Sequence, residues 1–261
     1  MPAWAAFVGL TGLIVTAFLA LARLSQSRLP EETTVVRPLP HGDPGVGDGV
    51  ETVPLESAIR GAVSPLLLLV NVALTQGLFG AILAGGAVYF RIPGWALGIP
   101  ASQSTGEAVA VGLGLGGVLW VANELGAAGA DVVGVDYDET IRDLLAPASA
   151  GGWIVLLGVV LPVVAGVEEF VFRAALVGAT SAAFGTSPWA LAVVSAVAFA
   201  LGHGAQGTVG VVVTGVLGLA LAMAFVATGS LLVVVVAHYL VNALELTVHE
   251  GLGLDRPIGK G

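Results

Sequence analysis

The chain contains no cysteine, one lysine (Lys260) and only 10% charged residues over its 261 positions. The missing cysteine excludes disulfides, thiolate catalysis and Cys-bound zinc or iron–sulfur centres. The shortage of charge excludes more. A soluble domain carries roughly 25% charged residues, so this chain cannot clothe a water-facing surface. With 56% hydrophobic residues, its exterior is stable only against lipid, and the chain reads as an integral membrane protein. Basic residues are also few: 9 Lys and Arg stand against 18 Asp and Glu, for a net charge of −9. That balance argues against a nucleic-acid partner, which calls for basic patches. The acids lie mostly between the apolar runs, a pattern that suits a high-salt cytoplasm.

What is abundant is apolar length. A crossing helix needs about 20 apolar residues, and seven runs stand out: Ala3 to Ala22, Pro65 to Phe90, Glu107 to Gly126, Gly152 to Phe184, Pro188 to His203, Thr208 to Ala227 and Leu231 to Val248. The fourth is too long for one straight crossing. It must tilt, kink near Pro162 or break in two, so the expected fold is all-α and polytopic, with seven or eight transmembrane helices in one bundle. Residues 1–22 read as an N-terminal transmembrane anchor, although Ala20-Leu21-Ala22 also resembles a signal-peptide cleavage site. Residues 23–61, rich in Pro, Gly and charge without a helical or strand period, read as a flexible polar linker. The multi-helix domain then spans 62–250, with a short tail at 251–261 and a short surface helix expected around Asp138 to Leu145. Arg23, Arg28, Arg37 and Arg60 fall in the first loop, which the positive-inside rule sets in the cytoplasm. The protein is expected in the cell membrane as a multi-pass chain. The 38 glycines are dispersed, as close helix packing in lipid favours.

Ionisable residues inside apolar runs are functional candidates, because each costs at least ~2.5 kcal/mol to insert. Glu168, Glu169 and Arg173 interrupt the fourth run. His203 ends the fifth between two glycines, in Phe199-Ala200-Leu201-Gly202-His203-Gly204. His238 and Asn242 lie within the last, with Glu245 one turn on. Glu169 and Arg173 are four apart with the acid first, the favourable order for a helical ion pair. Glu168 points about 100° away and has no obvious partner in its own helix. His238 and Asn242 are also four apart and can face one cavity. Bland readings exist for single members: Arg173 can snorkel, and Asn242 can be interhelical glue. Such residues on three of the last four helices are harder to dismiss together. If Gly185-Thr186-Ser187 is a hairpin turn, Glu168 and His203 sit level along its arms. Straight helices would leave His238 more than a turn or two out of register.

A carboxylate and two imidazoles converging in an apolar chamber suit activation of water. Glu takes a proton from water, histidines orient the water, hold a metal or protonate a leaving amine, and an Asn amide donates to a developing oxyanion. The reaction class would be hydrolysis of an acyl bond, most plausibly a peptide bond in or near the membrane. No serine stands beside a base, although Ser195 and Ser230 lie in or next to these runs.

Three motifs carry a resemblance to a family. Glu168-Glu169-Phe170-Val171-Phe172-Arg173, Phe199 to His203 and His238 to Asn242 resemble, in order, the Glu-Glu-x-x-x-Arg, Phe-x-x-x-His and His-x-x-x-Asn motifs of the CPBP (Abi) intramembrane proteases. These are relatives of the CAAX prenyl protease type 2. The resemblance covers roughly Gly152 to Val248; the first hundred residues carry no motif. It implies a multi-helix membrane endopeptidase with its catalytic part at 152–248 and a peptide or membrane-protein substrate. It also implies Glu168 as the water-activating acid/base, His203 and His238 as metal ligands or water-orienting groups, and Asn242 as oxyanion donor. Glu169, Arg173 and Phe199 would be supporting residues. No His-Glu-x-x-His motif occurs, yet Glu168, His203 and His238 would complete a catalytic zinc shell with water in fourth place. A metal-free glutamate mechanism is the other reading, and the sequence leaves both open, as it leaves open the oligomeric state. It also does not separate trimming of prenylated tripeptides from processing of other membrane peptides. The rival from another class is a transporter or proton relay with the same buried Glu, His and Arg. It would be expected to show an internal repeat and paired broken helices, and neither is found.

Overall fold

The structure is a computed structural model that describes residues 1–26, 34–38, 50–54, 65–100, 102, 104–132 and 145–254. It is a polytopic all-α bundle. The long helices are α1 (Trp4–Gln26), α2 (Pro65–Tyr89), α3 (Thr105–Val132), α4 (Ala150–Phe184), α5 (Pro188–Gly202), α6 (Gly207–Thr228) and α7 (Leu231–Gly251). Six among the described residues are long and apolar enough to cross a membrane. The exception is α5, whose 15 residues span only ~22 Å at ~1.5 Å each. The expected surface helix at Asp138 to Leu145 lies almost wholly outside the described residues.

The long fourth run does not break. Its 35 residues stay helical throughout, with π-helical stretches at Leu156–Val160 and Phe170–Ala179. The eighth crossing is therefore not formed. Pro162 lies just past the first π stretch and inside the continuous helix, and altered winding beside a proline accommodates the ladder bond that its missing N–H cannot make. The second π stretch begins immediately after Glu169, so the acid pair sits at a change of helical winding, a frequent place for π segments at functional sites.

Among the described residues of the 23–61 stretch is a strand pair that its Pro and Gly content concealed. Thr34–Pro38 and Val50–Pro54 form strands β1 and β2, paired antiparallel with Val36 opposite Thr52. Four valines and two threonines in ten positions favour extended backbone, and the prolines stand at the strand ends, where a lost ladder donor matters least.

Local signals account for the helix boundaries. Ser104 and Glu107 make a capping box at the start of α3: Glu107 N–H donates to Ser104 Oγ at 3.2 Å, and Ser104 N–H to Glu107 Oε2 at 3.3 Å. Ser149 caps α4, accepting from Gly152 N–H at 3.2 Å. Gly185 and Gly229 end α4 and α6 in the left-handed region.

In lipid, apolar burial between helices gains little over lipid contact, so close packing and hydrogen bonds hold the bundle. Gly112 and Gly116 form a Gly-x-x-x-Gly face on α3 against α7. A Cβ at either would come within 2.8 Å of a backbone oxygen, Val233 O or Ala237 O. That contact seats the helix that carries His238. Helix α1 is more than a tether: Phe7 and Ile14 are buried in one cluster with Val171, Phe172 and Phe199. Outer faces expose Leu74, Leu78, Val118 and Val216, as a lipid-facing surface requires.

Candidate active site

Glu168, His203, His238 and Asn242 line one cavity of about 310 Å³, together with Gln76, Gln206, Thr214 and Glu245. Straight-helix counting set His238 out of register. The structure instead brings its Nε2 to 3.8 Å from Glu168 Oε2. Such counting assumes parallel rods, and bundle helices tilt.

The two adjacent glutamates do different things. Glu169 is fully buried, as is Arg173, and Arg173 Nη1 donates to Glu169 Oε1 at 2.9 Å. The same oxygen lies 2.7 Å from His238 Nδ1. A carboxylate accepts, so Nδ1 carries a proton, and Nε2 faces Glu168. Arg173 is held further by Nη2 donating to Gly218 O at 2.9 Å and by Phe199, whose ring centre is 4.6 Å from its guanidinium carbon. Glu168 faces the cavity, with Gln76 Nε2 donating to its Oε1 at 3.2 Å.

Phe199 sits between the imidazoles. Its ring lies 4.4 Å from that of His203 and 5.9 Å, edge-on, from that of His238. Its carbonyl accepts from His203 Nδ1 at 2.8 Å, which orients that ring. Gly218 makes room for this stack: a Cβ there would come 2.9 Å from Phe199 Cδ1.

Ser195, noted in the sequence, donates to Phe172 O at 2.8 Å. Its hydroxyl is thus committed to helix–helix packing, while Ser230 lines a separate, mostly apolar cavity. Gln76 and Thr214 were not candidates from sequence because the search was for ionisable groups. Polar side chains inside the apolar runs were the available signal.

One carboxylate and two imidazoles are a donor set that suits zinc. The spacing does not. Zinc ligands at ~2.0–2.2 Å from the ion lie about 3.3 Å from one another. Among the described residues, the metal-type group whose ligating atoms all fall within 4.8 Å is Glu124, Glu245 and His249, not Glu168, His203 and His238. No step is therefore derived through a metal at the latter three.

Residues 150–244 of the 261 match the family model described as Type II CAAX prenyl endopeptidase Rce1-like, in keeping with the resemblance that the three motifs carry. No curated protein and no solved structure matches the chain. The matched stretch contains Glu168, His203, His238 and Asn242.

Proposed function

We propose that the chain hydrolyses a peptide bond at the membrane by a glutamate-activated water, with Glu168 as base. The observation that carries this reading is the 3.8 Å approach of Glu168 Oε2 and His238 Nε2 across the cavity. A water placed ~2.8 Å from each donates one proton to the carboxylate and one to the imidazole nitrogen, and turns a lone pair outward. Glu168 takes the proton as the water oxygen adds to the carbonyl carbon, then returns it to the leaving amine. Asn242 donates its amide to the oxyanion that forms. His203 orients the water or the amine.

Glu169 and Arg173 act through His238. Their ion pair fixes its tautomer and keeps it from protonating Glu168 directly. Peptides or membrane proteins are the substrate class, reached from the bilayer, and the cell membrane is the expected location. The alternative of a transporter using the same buried set has no supporting feature in this bundle.

The test is cleavage of a membrane peptide library by the purified protein beside Glu168→Ala. Turnover in wild type and none in the variant supports the proposal. Equal cleavage by both, or none by wild type, removes the assignment, and solute flux in liposomes becomes the next assay.

A further inference from the structure

One polar pair in the cavity is left unused by the proposed reaction. Gln206 ends the 3₁₀ turn Gly204–Gln206 that joins α5 to α6, directly after His203. It lines the cavity together with Glu168, His203 and Asn242. Its backbone is held by the turn, in which Gln206 N–H donates to His203 O at 3.0 Å. Its side chain lies along α6. Thr214 Oγ1 donates to Gln206 Oε1 at 2.7 Å, and Gly210, four residues before Thr214, leaves the path clear. A Cβ at Gly210 would collide with Gln206 Cβ and come 3.3 Å from Oε1.

The Thr214 bond decides which end of the amide is left over. Thr11, Thr16 and Thr228 each turn the hydroxyl back to the carbonyl four residues earlier, at 2.9, 2.8 and 2.7 Å. Thr214 is buried and departs from that habit, giving its hydroxyl proton to Gln206 instead. With Oε1 accepting from Thr214, the two N–H groups of Nε2 remain. They meet no acceptor among the described residues, and Nε2 is not sealed in by protein atoms. The other amides that line the cavity have their tasks: Gln76 donates to Glu168, Asn123 to Glu245, and Asn242 serves the proposed oxyanion.

A peptide bond must leave its helix before water reaches the carbonyl carbon. The backbone carbonyls freed beside it then need donors, which lipid and apolar walls do not offer. Leu69, Leu156, Val160 and Leu161 make much of this cavity apolar. We propose that Gln206 donates from Nε2 to a backbone carbonyl of the unwound substrate next to the scissile bond, with Thr214 positioning the amide. This role rests on the hydrolase reading of the cavity and supplies its substrate-holding group. The carbonyl held is not the one attacked, so the bond is equal in the bound peptide and in the transition state. Such uniform binding acts on KM and leaves kcat alone.

The experiment measures kcat and KM for one membrane peptide with wild type, Gln206→Met, Thr214→Val and Thr214→Ser, all full-length in detergent. Gln206→Met and Thr214→Val are expected to raise KM by roughly three- to tenfold, as loss of one net hydrogen bond does, with kcat within about twofold of wild type. Thr214→Ser keeps the hydroxyl and should keep the wild-type KM. Thr214→Val added to Gln206→Met should raise KM no further, because Thr214 acts through the amide. An unchanged KM in Gln206→Met, a fall in kcat without a rise in KM, or additive effects of the two substitutions would overturn the proposal and leave Glu168 as base. Affinity for the uncut peptide is read in parallel by fluorescence anisotropy on Glu168→Gln, with and without Gln206→Met. If wild type cuts nothing, or Glu168→Gln cuts equally well, the hydrolase reading fails. Weaker peptide binding with Gln206→Met then still supports capture of the backbone by Gln206, and equal binding or none overturns it.

Discussion

The carboxylate of Glu169 lies 2.7 Å from Nδ1 of His238, a residue 69 positions further along the chain. This contact joins α4 to α7 at the middle of the bundle and turns one of two adjacent glutamates into the orienting partner of an imidazole. The other glutamate is left facing the cavity, 3.8 Å from the opposite nitrogen of the same ring.

Arg173 and Glu169 are both fully buried and ion-paired at 2.9 Å. Removing one member of such a pair costs about 3–5 kcal/mol, whereas replacing both by matching apolar groups is often neutral. Arg173→Met is therefore expected to lower the unfolding temperature sharply. The Arg173→Met, Glu169→Leu double variant should recover much of that loss, although not the turnover, because His238 has lost its acceptor. Thermal unfolding in detergent, read beside peptide cleavage, checks both halves.

Gln76 reaches Glu168 from α2 with a single hydrogen bond. A hydrogen bond to a charged group is worth roughly 1.5–3 kcal/mol, and every ~1.4 kcal/mol is tenfold in rate. Gln76→Leu is expected to lower kcat by about ten- to a hundredfold while the protein remains folded. A kcat equal to wild type would show that Gln76 does not position Glu168.

Gly218→Ala introduces a methyl group 2.9 Å from Phe199 Cδ1 and 3.4 Å from Arg173 Nη2. Phe199 has to move, and it buttresses both imidazoles. Overpacking of this kind costs ~1–3 kcal/mol. Turnover is expected to fall by more than the stability loss explains, which parallel kcat and unfolding measurements will show.

Chelation tests the metal-free reading of the cavity. A chelator should leave wild-type turnover unchanged. Loss of that turnover on chelation would mean that Glu168, His203 and His238 bind a metal during the reaction.

Much of this was legible in the chain. The apolar runs set the helix count to within the long fourth run, because length and hydropathy in lipid act directly on each segment. The i, i+4 spacing of Glu169 and Arg173 pointed to their pairing, since a helix puts those positions on one face. What stayed hidden depended on contacts between segments distant in sequence. The depth of His238 could not be counted along straight rods. Gln76 looked like an ordinary polar residue in an apolar helix until α2 packed beside Glu168. Glu124 and His249 lie in different helices and share no motif, so their meeting became visible only in three dimensions. The hairpin of β1 and β2 was masked by the prolines at its own strand ends.

The account rests on the division of labour between Glu168 and Glu169, and the isosteric pair Glu168→Gln and Glu169→Gln tests it most directly. Peptide cleavage and thermal unfolding would be measured on both. Glu168→Gln should lose turnover by at least about 10³-fold, within the range for a side chain that takes part in the chemical step, with an unfolding temperature close to wild type. Glu169→Gln should lower the unfolding temperature, because it leaves the Arg173 charge buried without its partner. Wild-type turnover in Glu168→Gln, or turnover loss confined to Glu169→Gln, would contradict the account.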